Sequence, residues 1–190
     1  MRPVIVLGID PGSRRCGYGA VAREGSRLRV VASGKLVPGD LPMPERLGII
    51  LDRVIDLIER IGPSEVAVEQ VFSGASARSA LLLGQARGVV LAAAARAGLP
   101  VFEYAPAQVK VALTGNGRAD KSQMMRMARA LFGVEASVSD EADAVAVAVC
   151  HLAHRAARGR VGPARHVPVS ARNGPAPRSP GARRRHGAAR

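Results

Sequence analysis

Val4-Ile5-Val6-Leu7-Gly8-Ile9-Asp10-Pro11-Gly12-Ser13 is the stretch around which the rest of the chain falls into place. A short β-branched run closed by Pro-Gly reads as a buried strand ending in a tight turn. Pro11 has no N–H for a ladder and biases Asp10 towards extended backbone. Gly12 lets the chain reverse. A carboxylate therefore ends a central strand, where it must be solvated, paired or bound to a cation. Taken alone, Asp10 is explained equally well as the opener of a β-turn. The positions of the other acidic residues tip the balance.

Working outward, residues 18–22 and 28–36 read as two further strands joined at Glu24-Gly25-Ser26. Leu28, Val30 and Ala32 alternate with Arg27, Arg29 and Val31, the period of a half-buried strand. Three strands with short links make an antiparallel meander, followed by a loop over 38–44. The period then becomes helical. Leu47, Ile50, Leu51, Val54, Leu57, Ile58 and Ile61 share one face, with Arg46, Asp52, Arg53, Glu59 and Arg60 opposite. Gly62-Pro63 stops that helix. Glu65-Val66-Ala67-Val68-Glu69 is the next strand, and it too ends on a carboxylate.

Residues 76–97 read as an Ala/Leu-rich helix in which Gly84 and Gly88 leave a smooth face for close helix approach, or for packing inside the fold. Residues 100–104 form a fifth short strand. A helix over 107–113, a turn at Gly115-Asn116-Gly117, a helix capped by Asp120 and closed by Gly133, and a helix over 140–155 complete the pattern. The fold class is α/β: a five-stranded mixed sheet flanked by helices.

The chain's 190 residues suffice for one domain with a real core. No apolar run approaches the roughly 20 residues of a membrane span. The first strand lacks the cleavage region of a signal peptide. Cys16 and Cys150 have no CxxC spacing and suit a reducing compartment, so a cytoplasmic location is expected. The net charge of +13 is unevenly spread. Ten arginines and no acid lie between Arg155 and Arg190, leaving 18 basic against 15 acidic residues before them. With Pro163, Pro168, Pro175, Pro177 and Pro180, that stretch cannot bury enough apolar surface to fold. We expect a domain over residues 1–157 and a disordered basic tail over 158–190, able to hold polyanions without sequence preference.

If the strands ending at Asp10 and Glu69 are parallel neighbours, their carboxylates share the sheet edge where α/β folds bind ligands. Asp140 and Asp143, spaced i, i+3 at the start of the last helix, share a helical face. Each has a bland explanation, since acids complement a helix N-terminus and end strands routinely. Together they offer hard oxygen ligands suited to Mg²⁺ or Mn²⁺, not zinc. A pair of such ions can activate water and stabilise the leaving oxygen in phosphodiester hydrolysis.

Leu7-Gly8-Ile9-Asp10-Pro11-Gly12-Ser13, Glu69-Gln70-Val71-Phe72, Leu83-Gly84-Gln85-Ala86-Arg87-Gly88, Val101-Phe102-Glu103-Tyr104, Lys121-Ser122-Gln123 and Asp140-Glu141-Ala142-Asp143-Ala144 resemble, in order, the motifs of the RuvC family of Holliday-junction resolvases. The resemblance covers about residues 4–155. It implies a ribonuclease-H-like fold acting as a homodimer in recombination and repair. Each subunit would use Mg²⁺, as a pair of ions with Mn²⁺ able to substitute, to cut one of two opposed strands of a four-way DNA junction. The products would be 5′-phosphate nicks, and a RuvA–RuvB branch-migration complex would be the partner. Carried over by motif, the catalytic metal ligands are Asp10, Glu69, Asp140 and Asp143. Lys110 and Lys121 match catalytic, DNA-contacting basic residues near the scissile phosphate, and Phe72 matches an aromatic that probes the junction centre. Glu141 replaces the small residue expected there and should point away from the two aspartates.

Two other readings are weaker. An actin-like kinase or ATPase fragment built on the Asp10 loop would need a second domain to close over nucleotide. A junction-binding protein without catalysis is not favoured by a chain that keeps all four carboxylates.

Overall fold

The meander forms as β1 (Val4–Asp10), β2 (Cys16–Glu24) and β3 (Arg27–Leu36), each antiparallel to the next. β4 (Glu65–Glu69) lies parallel to β1 on its other side, and β5 (Val101–Tyr104) lies parallel outside β4. The five-stranded order is β3-β2-β1-β4-β5. The crossover to β4 runs through α1 (Met43–Ile61), and α2 (Ala77–Arg96) links β4 to β5. Then come α3 (Pro106–Thr114), α4 (Lys121–Phe132) and α5 (Ser139–Val161). The computed structural model describes residues 3–70, 76–133 and 139–161. Phe72 and the tail from residue 162 onward lie outside these. Among the described residues no helix is long and apolar enough to cross a membrane.

Three boundaries differ from expectation for identifiable reasons. α1 starts at Met43 and takes in Pro44. Proline is tolerated in a first turn, where its missing N–H would have had no intrahelical partner. The β2–β3 register jumps from Ala20↔Ala32 to Val21↔Val30. Val31 is thus a bulge residue, and the simple alternation through β3 breaks there. α5 runs to Val161, past the expected helix end at Arg155. Its Ala/Arg content favours helix, and no proline intervenes before Pro163.

The sheet divides the core. On one face Leu7, Ile9, Val66 and Val68 pack with Ile50, Val54 and Val90 of α1 and α2. On the other, Val6, Val21 and Ala67 pack with α3, α4 and α5. Because successive strand residues alternate, the second face also receives Gly8 and Asp10 from β1 and Glu65 and Glu69 from β4. Across the layers, Arg87 of α2 pairs with Glu103 of β5 at 2.5 Å, joining two of the motif blocks. Both cysteines are free and buried, and burial pushes each thiol up to about 12. Neither is a nucleophile at neutral pH.

Candidate active site

The turn after β1 is held tightly. A Cβ on Gly12 would lie 2.1 Å from the Arg15 carbonyl oxygen, so only glycine fits. Arg46 of α1 donates to the Ser13 carbonyl at 3.3 Å and pins the turn from the far side. Asp10 therefore leaves β1 with little freedom, beside the end of β4, where Glu69 stands.

α5 brings the other two carboxylates, and three strand glycines let it come close. A Cβ on Gly17 would sit 1.9 Å from the Asp140 carbonyl oxygen, and one on Gly8 2.2 Å from that of Ala144. One on Gly19 would fall 2.5 Å from a Val145 methyl. Gly8 pairs with Gly19, and Asp10 with Gly17, across the β1–β2 ladder. This is close backbone approach, one of the uses of glycine inside strands. Glu141 points to β3, where the Ser33 hydroxyl donates to it, away from the Asp140/Asp143 face as expected.

The cations come from α3 and α4. Lys110, Lys121, Glu69 and Asp143 line one cleft of about 250 Å³, floored by Val109 and Met124. Lys121 opens α4 behind a capping box. The Asp120 carboxylate accepts the Gln123 N–H at 2.8 Å, and the Gln123 side chain accepts the Asp120 N–H at 3.0 Å.

Negative charge in this cleft is poorly compensated. Asp10 is pushed from 3.8 up to about 8, first by burial and then by Glu69, Asp143 and Asp140, with Lys121 opposing. Glu69 rises from 4.5 to about 7 through burial and Asp143, against Lys110. Asp143 is raised chiefly by burial, despite Lys121 and Lys110. Among the described residues no three Asp, Glu, His or Cys side chains are gathered into a ready-made ion cage. Instead, hard oxygen donors from three elements face one region, with a mutual repulsion that Lys110 and Lys121 only partly offset. That donor set fits a divalent cation, which would relieve it.

Comparison with known proteins gives this geometry a context. The family model Crossover junction endodeoxyribonuclease RuvC matches residues 6–151. A relative of that name from Anaeromyxobacter dehalogenans (strain 2CP-C) is 73% identical over 153 residues, 80% of this chain and 83% of the relative. The chain belongs to the RuvC family. A RuvC-family member from Halorhodospira halophila is 51% identical, over 80% of this chain and 92% of its own. Thermus thermophilus RuvC in complex with a Holliday junction substrate matches with a TM-score of 0.74 and 39% identity, over 80% of this chain and 94% of that one. The sheet and its helices are thus the ribonuclease-H-like arrangement of the RuvC family. As a nuclease family, RuvC implies dependence on a divalent metal.

Of the residues singled out from sequence, Asp10, Glu69, Asp140, Asp143, Lys110 and Lys121 come to one region, and Phe72 lies outside the described residues. Sequence reasoning passed over Gly8, Gly17 and Gly19. Glycines inside β-branched strands were the available signal.

Proposed function

We propose that this chain is a structure-selective endodeoxyribonuclease that resolves four-way DNA junctions by Mg²⁺-dependent phosphodiester hydrolysis. One observation carries the reading. Glu69 of β4 and Asp143 of α5 line a cleft with two lysines, and Asp10 of β1 feels the charge of Glu69, Asp143 and Asp140 beside it, in a chain 39% identical to a RuvC solved with a Holliday junction.

Asp10, Glu69, Asp140 and Asp143 are the proposed metal ligands. Bound there, the cation would supply an activated water and stabilise the leaving oxygen. The chain's own groups do the rest. The carboxylates are held in place on rigid elements, while Lys110 and Lys121 attract and orient the scissile phosphate. Phe72 keeps the role its motif implies, stacking at the junction centre. Paired cuts in opposed strands call for a two-fold arrangement, so the proposed unit is a homodimer. Gly84 and Gly88 of α2 are its candidate contact, since a Cβ at either meets nothing within 4 Å. A cytoplasmic location and delivery by a RuvA–RuvB complex complete the proposal.

A labelled synthetic four-way junction tests it. Symmetric, ligatable nicks with Mg²⁺, and none with EDTA, are expected. Tight junction binding without cutting, at any Mg²⁺ or Mn²⁺ concentration, would favour a non-catalytic binder.

A further inference from the structure

The nuclease reading leaves unused a buried polar cluster at the opposite end of β4. Glu65 opens that strand and Glu69 ends it, and both face α5. His151 of α5 is only 2% exposed, with Nε2 at 2.5 Å from Glu65 Oε2 and Nδ1 at 2.8 Å from the Tyr104 hydroxyl of β5. Arg155, one turn on, donates to the other oxygen of Glu65. Phe102 of β5 lies against the His151 ring with centroids 4.4 Å apart. A carboxylate only accepts, so Nε2 carries its proton towards Glu65. Both ring nitrogens and both carboxylate oxygens therefore have partners.

The spacing ties this cluster to the acidic end. Glu65 to Glu69 spans about 13 Å of strand at roughly 3.3 Å per residue. Asp143 to His151 spans about 12 Å of helix at 1.5 Å per residue. α5 thus runs antiparallel along β4, with Asp143 near Glu69 at one end and His151 on Glu65 at the other. Between the ends the contact runs through small residues: Gly8 on the sheet meets Ala144 and Ala148 on the helix, and Ala67 lies in the same core layer as Ala148. Small side chains allow close approach but offer few ridges and grooves to resist axial slippage. Ser33 ties Glu141 to β3 and Arg23 donates to the Leu152 carbonyl from β2, so along β4 itself the register needs a hold of its own.

We propose that the Glu65–His151–Arg155 clamp, braced by Tyr104, sets the axial register of α5 on β4 and so places Asp143 opposite Glu69 for metal binding. Its members are positioning residues, remote from the reacting atoms. Fixing register is the best-attested use of buried polar groups. The inference rests on the nuclease reading for its purpose, though its geometry does not.

Mn²⁺ titration calorimetry of DNA-free protein and steady-state cleavage of a four-way junction test it on Glu65→Leu, Glu65→Gln and His151→Gln. Glu65→Leu should weaken Mn²⁺ binding at least about fivefold and lower kcat about tenfold, with KM for the junction unchanged. Such a loss matches a displacement of under 1 Å in a catalytic group. Glu65→Gln keeps an acceptor for Nε2–H and should recover most of both losses. If Glu65→Leu fails to fold by circular dichroism, His151→Gln carries the test with the same expected direction. Wild-type Mn²⁺ affinity in a folded Glu65→Leu or His151→Gln protein, or Glu65→Gln as impaired as Glu65→Leu, would overturn the clamp. Absence of cleavage by the unaltered protein would instead overturn the nuclease reading, leaving the Mn²⁺ comparison to decide the clamp.

Discussion

The two faces of the central sheet are built on opposite rules. Towards α1 and α2 the strands present Leu7, Ile9, Val66 and Val68, large side chains filling a buried layer. On the other face, which Val6 and Val21 share, the strands meet α5 with Gly8, Ala67, Asp10 and Glu69, and with Gly17 and Gly19 from β2. Glycine inside a strand costs roughly 0.5–1 kcal/mol against alanine, and a buried carboxylate costs more unless paired. The first face makes stability out of volume. The second gives volume up, so that a helix backbone can come close enough to bring its acids to those of the strands.

The sharpest break between the faces should come from neighbouring β1 residues. Asp10→Asn keeps the shape but removes a charge from the metal ligands. We expect cleavage to fall at least about 10³-fold, a loss of several kcal/mol of transition-state stabilisation, with junction binding retained or tightened. Leu7→Ala, three residues back on the other face, should lower unfolding free energy by about 2–5 kcal/mol while leaving turnover per folded molecule within about threefold. Denaturant unfolding and single-turnover cleavage on both variants decide the matter. An active Asp10→Asn enzyme would remove Asp10 from the metal site.

Gly17→Ala should be the next largest effect, because it introduces a methyl carbon where the Asp140 carbonyl already sits. Overpacking of this kind costs about 1–3 kcal/mol. The shift forced on the first turn of α5 should reduce kcat about 10²-fold, as 1 Å misplacements do. Near-normal kcat with an intact fold would mean that α5 reaches its site without the glycine cradle.

The two faces were not equally legible in the sequence. Asp10 and Glu69 were readable because a strand's alternation and its breakers put both carboxylates at strand ends, and the parallel pairing of β1 with β4 needed only the crossover helix between them. Asp120 and Gly133 announced the ends of α4 by cap chemistry alone. The glycine cradle could not be read in this way. A strand glycine looks like a weak strand former until the helix that crosses it is known, and that crossing is a long-range fact. The Val31 bulge was hidden for a similar reason, since register belongs to the pair of strands. Glu141 was expected to face away from the aspartates and does, but its Ser33 partner lies 108 residues earlier in the chain.

The acid-bearing face should also carry a pH signature that the apolar face lacks. Without metal, Asp10 at about 8 and Glu69 at about 7 hold protons that the unfolded chain releases near 3.8 and 4.5. Over that window the folded state binds more protons than the unfolded one. Stability from these groups is therefore full at the acidic end and declines as pH rises towards 8, by on the order of a few kcal/mol. Melting temperatures in EDTA should fall between pH 5 and 8.5, saturating Mg²⁺ should flatten the fall, and Asp10→Asn should remove most of it. A flat or rising profile in EDTA would mean that neither burial nor the neighbouring carboxylates raise these groups in the folded protein.

The smallest expected effect contrasts glycines in two settings. At Gly8, Gly17 and Gly19 a methyl group has nowhere to go, whereas at Gly84 and Gly88 of α2 it meets nothing within 4 Å. Neither of these helix glycines has a positive φ, so an isolated subunit gives no reason for glycine there, and packing inside the fold does not supply one. Helix propensity alone predicts that Gly84→Ala stabilises the folded subunit by about 0.5–1 kcal/mol. If α2 packs on α2 of a second copy, the same methyl group would stand between the two helices and weaken association. The two terms separate by concentration. Melts at low protein concentration should show a higher melting temperature, while sedimentation equilibrium should show a raised dimer dissociation constant and a junction-cutting rate that falls with it. Stabilisation with unchanged self-association would move the dimer contact off α2, and would leave Gly84 as a residue that nothing in the folded subunit requires.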